Sequence, residues 1–339
     1  MADRVLLTGI SGFLGGHVAL ALLKAGYSVR GSVRDLKQAE AVRRALARAG
    51  AAVDGLDFVA LDLLSDAGWA EAARGCRYLQ HTASPFVLEM PKDRSVLVRP
   101  AVDGTRRALD AAFDAGVERV VLTSSVAAIV YGHGHERTRF TEADWTNLED
   151  PGVNAYAESK TRAEREAWAI AEARGARQRL AVVNPAAIFG PLLDEDPGTS
   201  GRIIVRLLRG TIPAAPRIQL GLVDVRDVAA VHLAAMTDQA AGGHRFVVSA
   251  ETLSLMQIAD ALRPHFPAHA GRLPRFELPD WVVRLYGRFD RSVGDNAAEL
   301  GRTRHADAGR ARSLLGRDFV PAREAAIATA RSAVAFGLA

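Results

Sequence analysis

A single cysteine in 339 residues, Cys76, excludes an intramolecular disulfide and leaves too few thiolates for a zinc finger. Long apolar runs are missing too. No stretch of about eighteen uninterrupted apolar residues occurs, so no membrane-spanning helix is expected. The opening residues Met1 to Leu7 lack the basic start and cleavage site of an export signal, which makes a reducing cytoplasm the expected setting. Positive charge is present but not concentrated: 43 cationic residues are interspersed with 39 acids for a net charge of +4, a solvated arginine-rich surface rather than a nucleic-acid-binding patch. Lysine is rare, standing only at Lys24, Lys37, Lys92 and Lys160. A lysine retained in a chain that otherwise uses arginine invites a chemical reason.

With 49% apolar and 24% charged residues, the composition is that of a globular protein, and the length allows two domains at most. Short apolar runs at 5–8, 28–33, 58–61, 78–81, 120–123 and 180–183 alternate with amphipathic stretches at 13–23, 36–49, 96–115 and 155–174. Strands separated by helices pair in parallel, and continuously apolar strands fit a sheet covered on both faces. The fold class is therefore α/β, a doubly wound parallel sheet of the Rossmann kind. After Pro185, Gly and Pro accumulate, a helix is expected near 203–208, and strand and helix resume at 219–236 and 245–248 before a helical tail from 255. The sheet domain is expected to hold residues 1–188 and about 217–250. A smaller, mostly helical and discontinuous lobe takes about 189–216 and 251–339.

Between the first strand and helix lies Thr8-Gly9-Ile10-Ser11-Gly12-Phe13-Leu14-Gly15. Glycines at 9, 12 and 15 let the backbone turn sharply and approach a pyrophosphate, while the helix start faces its charge. The end of the second strand, Ser32-Val33-Arg34-Asp35-Leu36-Lys37, selects the dinucleotide. Arg34 and Lys37 can meet a 2′-phosphate and small Ser32 leaves room, which favours NADP(H). Asp35 leaves NAD open, since it could pair Arg34 or take the ribose itself. Asp62-Leu63 after the third strand and Thr82-Ala83-Ser84 after the fourth stand where adenine and ribose would pass.

Tyr156-Ala157-Glu158-Ser159-Lys160 opens a predicted helix and puts a phenol and an ammonium on one face. A phenol titrating near 10 serves proton transfer better beside a positive charge, so Lys160 is expected to make Tyr156 more acidic. Thr123-Ser124-Ser125 ends the fifth strand, at the edge where open α/β sheets bind ligands, and offers a hydroxyl for a substrate oxygen. Ser125 is favoured over Ser124 by the alignment of the strand end.

The Gly-x-x-Gly-x-x-Gly spacing, the serine and the Tyr-x-x-x-Lys pair, with His81-Thr82-Ala83-Ser84-Pro85-Phe86, Pro91-Lys92-Asp93, residues 100–105, Asn184-Pro185 and Phe189-Gly190-Pro191, resemble an extended short-chain dehydrogenase/reductase. The similarity is to the group of dihydroflavonol 4-reductase, cinnamoyl-CoA reductase and the yeast-type methylglyoxal and aldehyde reductases, over nearly the whole chain. It implies an NADPH-dependent reduction of aldehydes or ketones by Ser125, Tyr156 and Lys160, with Lys160 also on the nicotinamide ribose. It further implies Pro185 and Ile188 against the nicotinamide, Ser200 near the phosphates and Arg34 on the 2′-phosphate. Arg107 and Gly316-Arg317-Asp318 depart from common family residues, away from the chemistry.

On the substrate side, Phe86, Val126, Phe189 and Leu192 are candidate walls of an apolar pocket for a small-molecule carbonyl compound. Trp145 and Trp281 are expected as packing anchors, and the histidines of Gly132-His133-Gly134-His135 as loop residues with no metal. Such proteins are monomers or homodimers. Two other readings are an NAD-dependent sugar-nucleotide epimerase or dehydratase and a non-catalytic NADP-binding sensor. Val126-Ala127, where dehydratases place an acidic pair, speaks against the first, and the presence of both Tyr156 and Lys160 against the second.

Overall fold

Seven parallel strands and the helices between them account for most of the first 250 residues of the computed structural model, which describes residues 2–85, 91, 93–289 and 297–339, the side chain of 298 excepted. In chain order the first elements are β1 (Arg4–Thr8), α1 (Phe13–Lys24), β2 (Ser28–Val33), α2 (Ala39–Arg48), β3 (Leu56–Ala60), α3 (Trp69–Ala73), β4 (Tyr78–His81) and α4 (Ser95–Asp114). They are followed by β5 (Arg119–Thr123), β6 (Arg139–Phe140), α5 (Ala155–Ala173), β7 (Leu180–Pro185), β8 (Ala187–Phe189), α6 (Gly198–Arg209), β9 (Ala215–Pro216), β10 (Gln219–Asp224) and α7 (Val225–Thr237). The rest are β11 (Arg245–Val248), β12 (Glu251–Ser254), α8 (Leu255–Leu262), β13 (Glu277–Leu278), α9 (Asp280–Tyr286), β14 (His305–Ala306), α10 (Gly309–Leu315) and α11 (Ala322–Ala335).

The large sheet runs β11-β7-β5-β4-β1-β2-β3, parallel throughout. The chain winds outward from β1 to β3, then returns to the other side of β1 at β4. That reversal opens a crevice at the carboxyl ends of β1 and β4, where doubly wound sheets take their ligands. One face packs against α1, α2, α7 and α10 through Val18, Leu22, Leu46, Val228 and Val231. The other packs against α3, α4 and α5 through Trp69, Leu109, Phe113 and Trp168. Strand β7 is buried along its whole length, which is why its first four residues, 180–183, read as an unbroken apolar run.

The second unit is less helical than its sequence suggests. Strand β8 follows β7 after one residue and leaves the large sheet to pair with β10, which pairs antiparallel with β12. This three-stranded sheet and α6, α8 and α11 enclose a core of Phe189, Ile204, Leu222, Ile258 and Ala326. Strand β10, expected with the large sheet, belongs to the small one, while β11 pairs in the large one and α7 packs on it. No described helix is long and apolar enough to cross a membrane.

Candidate active site

The glycine loop has three positions with different reasons. Gly9 takes φ +73°, and a Cβ there would stand 2.8 Å from the backbone nitrogen of Ala83, so β1 and β4 close on each other at this point. A Cβ on Gly15 would lie 2.0 Å from the carbonyl oxygen of Gly9, which fixes how tightly α1 packs on the turn. Gly12 is unlike both, with only the Gly9 oxygen near its would-be Cβ, at 3.5 Å. Nothing within the fold crowds a side chain there. No side chain caps α1, and its first-turn N–H groups are left for an anion. Ser11 is exposed and Phe13 and Leu14 are half-buried, whereas the side chain of Ile10 is buried beneath Gly31, so residue 10 offers only its backbone.

Around the groove, Ser32 accepts from the N–H of Gly9 at 3.3 Å, and Arg34 and Lys37 are exposed beside it. The Asp35 carboxylate is engaged elsewhere: it caps the turn at Leu36–Gln38 by accepting from the Lys37 N–H at 2.9 Å. Arg34 has no hydrogen bond or ion pair among the described residues. Thr8 organises the fourth-strand end. Its hydroxyl pairs with Nδ1 of His81 at 2.8 Å and accepts from the Ala83 N–H at 3.2 Å, while its carbonyl accepts from Thr82 Oγ1 at 2.6 Å. Asp62 turns the chain by accepting from the Leu64 N–H, and Leu63 packs under Gly104. Arg107 holds this loop from α4, donating to the Leu63 carbonyl at 2.6 Å and pairing with Asp66. Arg107 is thus a clamp on the loop after β3. Ser84 is half-buried at the mouth of a polar recess that also reaches Lys160.

Ser125 follows β5, and its backbone begins a single turn over Val126–Ala128, with Oγ accepting from the Ala127 N–H at 3.1 Å and lying 3.5 Å from the Pro185 carbonyl. Asn154 caps α5 by accepting from the Ala157 N–H at 2.9 Å, so Tyr156 stands in the first turn, aimed at the strand ends. The phenol adjoins the Ser125 hydroxyl, and Lys160 Nζ lies 6.0 Å from its ring centre. The three residues expected together are together.

Their acidities correct one expectation. Burial raises the Tyr156 phenol above its ordinary value, and the hydroxyl of Ser125 opposes this without reversing it. Lys160 is itself brought down to about 8 by burial, with Glu164 working the other way. At neutral pH the protein alone therefore holds a protonated phenol beside an ammonium. A charge that shares the phenol's desolvated pocket at this distance does not overcome the cost of burying a phenolate.

Several substrate-side expectations fail. Phe189 is wholly buried in the core of the small unit, and Leu192 is packed with Val205 and Ala333. Neither has an open face for a substrate. Trp281, expected as an anchor, is 68% exposed. Val126 is half-buried beside Ser125, Pro185 closes β7, and Ile188 is half-buried on β8. Ser200 is half-buried in the first turn of α6, near Gly198, which packs on Phe13. Phe86 and Lys92 lie outside the described residues. His133 pairs with the carbonyl of Trp145, as a loop histidine does, and Trp145 is a packing anchor beneath Arg245. No group of three metal-ligating side chains occurs among the described residues.

Residues 5–249 match the model of the NAD dependent epimerase/dehydratase family. The chain is 32% identical over 274 residues to a cinnamoyl-CoA reductase of Medicago truncatula, covering 79% of this chain and 82% of that one. It is 31% identical over 291 residues to the NADPH-dependent methylglyoxal reductase of Saccharomyces cerevisiae, covering 80% and 84%. The crystal structure of the yeast methylglyoxal/isovaleraldehyde reductase complexed with NADPH superposes with a TM-score of 0.80 at 27% identity, over 98% of this chain and 99% of that one. Cradle, strand order, strand-end serine and Tyr-Lys helix agree with these likenesses: the chain belongs to the NAD dependent epimerase/dehydratase family, as an extended short-chain dehydrogenase/reductase.

Proposed function

We propose that the chain is an NADPH-dependent reductase that converts small aldehydes or ketones to alcohols. The observation that carries this is the convergence of Ser125, Tyr156 and Lys160 at the carboxyl edge of the sheet, beside a loop in which nothing within the fold crowds a side chain at Gly12. The uncapped α1 terminus, the small Ser32 and the unpaired Arg34 suit a dinucleotide with a 2′-phosphate.

NADPH supplies the hydride. The hydroxyls of Ser125 and Tyr156 hold the carbonyl oxygen between them and turn the carbon toward the nicotinamide side of the groove. Tyr156 then gives its proton to that oxygen as charge develops there, and the Lys160 ammonium stabilises the phenolate left behind. A phenol kept protonated by burial is the correct starting form for reduction. Lys160 would also hold the nicotinamide ribose, and Pro185 and Ile188 would lie against the ring.

A panel of aldehydes and ketones assayed with NADPH and NADH in parallel tests the reading. Binding of NADPH with no turnover across the panel would defeat it. Replacing Arg34 by alanine removes a charge-assisted contact, for which about 1.5–3 kcal/mol is usual, so KM for NADPH should rise by about 10- to 100-fold while that for NADH barely moves. Unchanged KM for both would remove Arg34 from the site. Gly12→Ala and Gly15→Ala separate ligand from fold: the first should keep the melting temperature and lose NADPH affinity, whereas the second should unfold earlier, by about 1–3 kcal/mol of overpacking. Thermal melts and fluorescence titration of NADPH check both.

A further inference from the structure

Behind the reacting groups lies a charge that the reduction does not itself use. Glu164, one helical turn beyond Lys160 on α5, is wholly buried, and its carboxylate accepts from four side chains. Oε2 accepts from Ser124 Oγ at 2.5 Å and from Asn184 Nδ2 at 2.8 Å. Oε1 accepts from Arg245 Nε at 2.5 Å and from Trp168 Nε1 at 3.4 Å, and a second Arg245 nitrogen lies 3.3 Å from Oε2. Arg245 is 7% exposed. Its remaining nitrogen donates to the carbonyls of Glu142 and Asp144, and its guanidinium carbon lies 3.9 Å from the centre of the Trp145 ring. Asn184 passes the constraint on by donating also to the carbonyl of Ser125 at 3.2 Å. One carboxylate thus ties the Tyr156–Lys160 helix to β7, to β11 and to the two residues after β5.

We infer that Glu164, held by Arg245, is a positioning residue: through Ser124 and Asn184 it fixes where the Ser125 hydroxyl stands relative to α5, and it places a negative charge one turn beneath the Lys160 ammonium. This rests on the reductase reading above. A buried ion pair adds little net stability over well-packed apolar residues, since desolvation offsets most of the attraction. What four converging donors do supply is a fixed separation between the helix and the strand ends. The charge acts in the same place. Lys160 is neighboured by Tyr156 and Glu164 from its own helix, by His81 from β4, by Thr123 at the end of β5 and by Ser124 after it. His81 is held neutral by burial, so among the described residues Glu164 is the anion that sustains the Lys160 proton.

The test uses the full chain with Glu164→Gln and Glu164→Asp beside the wild type. NADPH affinity is followed by fluorescence from pH 6.5 to 9.5, a readout independent of turnover, together with kcat and KM for an accepted carbonyl. The pH above which NADPH binding weakens should fall by roughly one unit in Glu164→Gln and return toward the wild-type position in Glu164→Asp, which keeps the charge. At pH 7 the Gln variant should lose about 10- to 100-fold in kcat with a smaller change in KM. A folded Glu164→Gln protein with the wild-type pH limb and wild-type kcat overturns the inference. Should that variant not fold, Ser124→Ala cuts one link without stranding a charge. Its kcat should fall while NADPH affinity holds, and a wild-type kcat there overturns the inference equally. Failure of the wild type to reduce any carbonyl would strike the reductase reading alone, because the pH limb of NADPH binding still decides the role of Glu164.

Discussion

Phenylalanine in place of Tyr156 is expected to lower kcat by about a thousandfold, within the range usual for loss of a positioned proton donor, while NADPH still binds as in the wild type. The substitution removes one oxygen and keeps the ring, so the packing of residue 156 against Ala127 and Val153 survives. What is lost is the phenolic proton beside Ser125. The Ser125 hydroxyl cannot replace it, because an aliphatic hydroxyl is a far weaker acid than a phenol and burial disfavours its anion further. Steady-state rates with an accepted carbonyl and fluorescence titration of NADPH measure the two halves of the prediction. A variant that turns over like the wild type would show that the proton comes from elsewhere. The wild-type profile should also be informative: kcat is expected to be flat through neutrality and to fall above about 8, where Lys160 gives up its proton and the phenolate has no counter-charge.

Much of this architecture is legible in the sequence, and the parts that are not share a cause. The runs at 120–123 and 180–183 fall inside the observed strands β5 and β7, because buried parallel strands carry a continuous apolar signal. The glycine spacing, the strand-end serine and the Tyr-Lys pair are local patterns, and the fold assembles them. Strands β6, β8, β9 and β14 span two or three residues each, too few for any periodicity to mark them. Phe189 and Leu192 read as pocket walls because they are apolar and near the chemistry in sequence. Only the small sheet reveals that they face its core. Asp35 read as a rival for the ribose, and the turn after β2 shows it capping Lys37 instead. Glu164 was hidden among Glu158, Arg162, Arg165 and Glu166, charges that look like a solvated helix face. Its spacing held a signal: Tyr156, Lys160 and Glu164 recur every fourth residue, along the stripe that also holds Ala157, Ala167, Trp168 and Ala171. A carboxylate on a buried stripe needs a partner, and Arg245 stands in a strand that is buried throughout, 81 residues later.

Mild acid should destabilise the protein well above the pH at which its carboxylates titrate. His81 and His232 are both buried, and burial lowers each to about 3, with the Lys160 charge adding to the effect on His81. His17 is lowered as well, again by burial, against the support of the Pro191 carbonyl. In the unfolded chain these imidazoles take up protons as the pH falls below about 6.5, whereas the native state refuses them until about 3. Their contribution is therefore full above the unfolded value and is lost progressively between the two. Each of the two most buried costs up to about 1.4 kcal/mol per pH unit in that window, so by pH 5 the pair has removed about 4 kcal/mol relative to pH 8. That is a large share of the roughly 5–15 kcal/mol typical of a folded domain. Urea midpoints measured from pH 8 to 5 should be level at first and then fall steeply; a midpoint unchanged at pH 5 would show that these rings are hydrated or exchange readily with solvent. The site gives a reason for retaining such acid-labile groups. His81 bridges to the Thr8 hydroxyl within reach of the Lys160 charge, and His232 spans from Gln80 to Thr123 at 2.8 and 3.1 Å. A neutral ring there spaces the ends of β1, β4 and β5 through hydrogen bonds while adding no second cation beside the ammonium that the phenolate needs, and the stability lost in acid is the consequence of keeping that ring neutral.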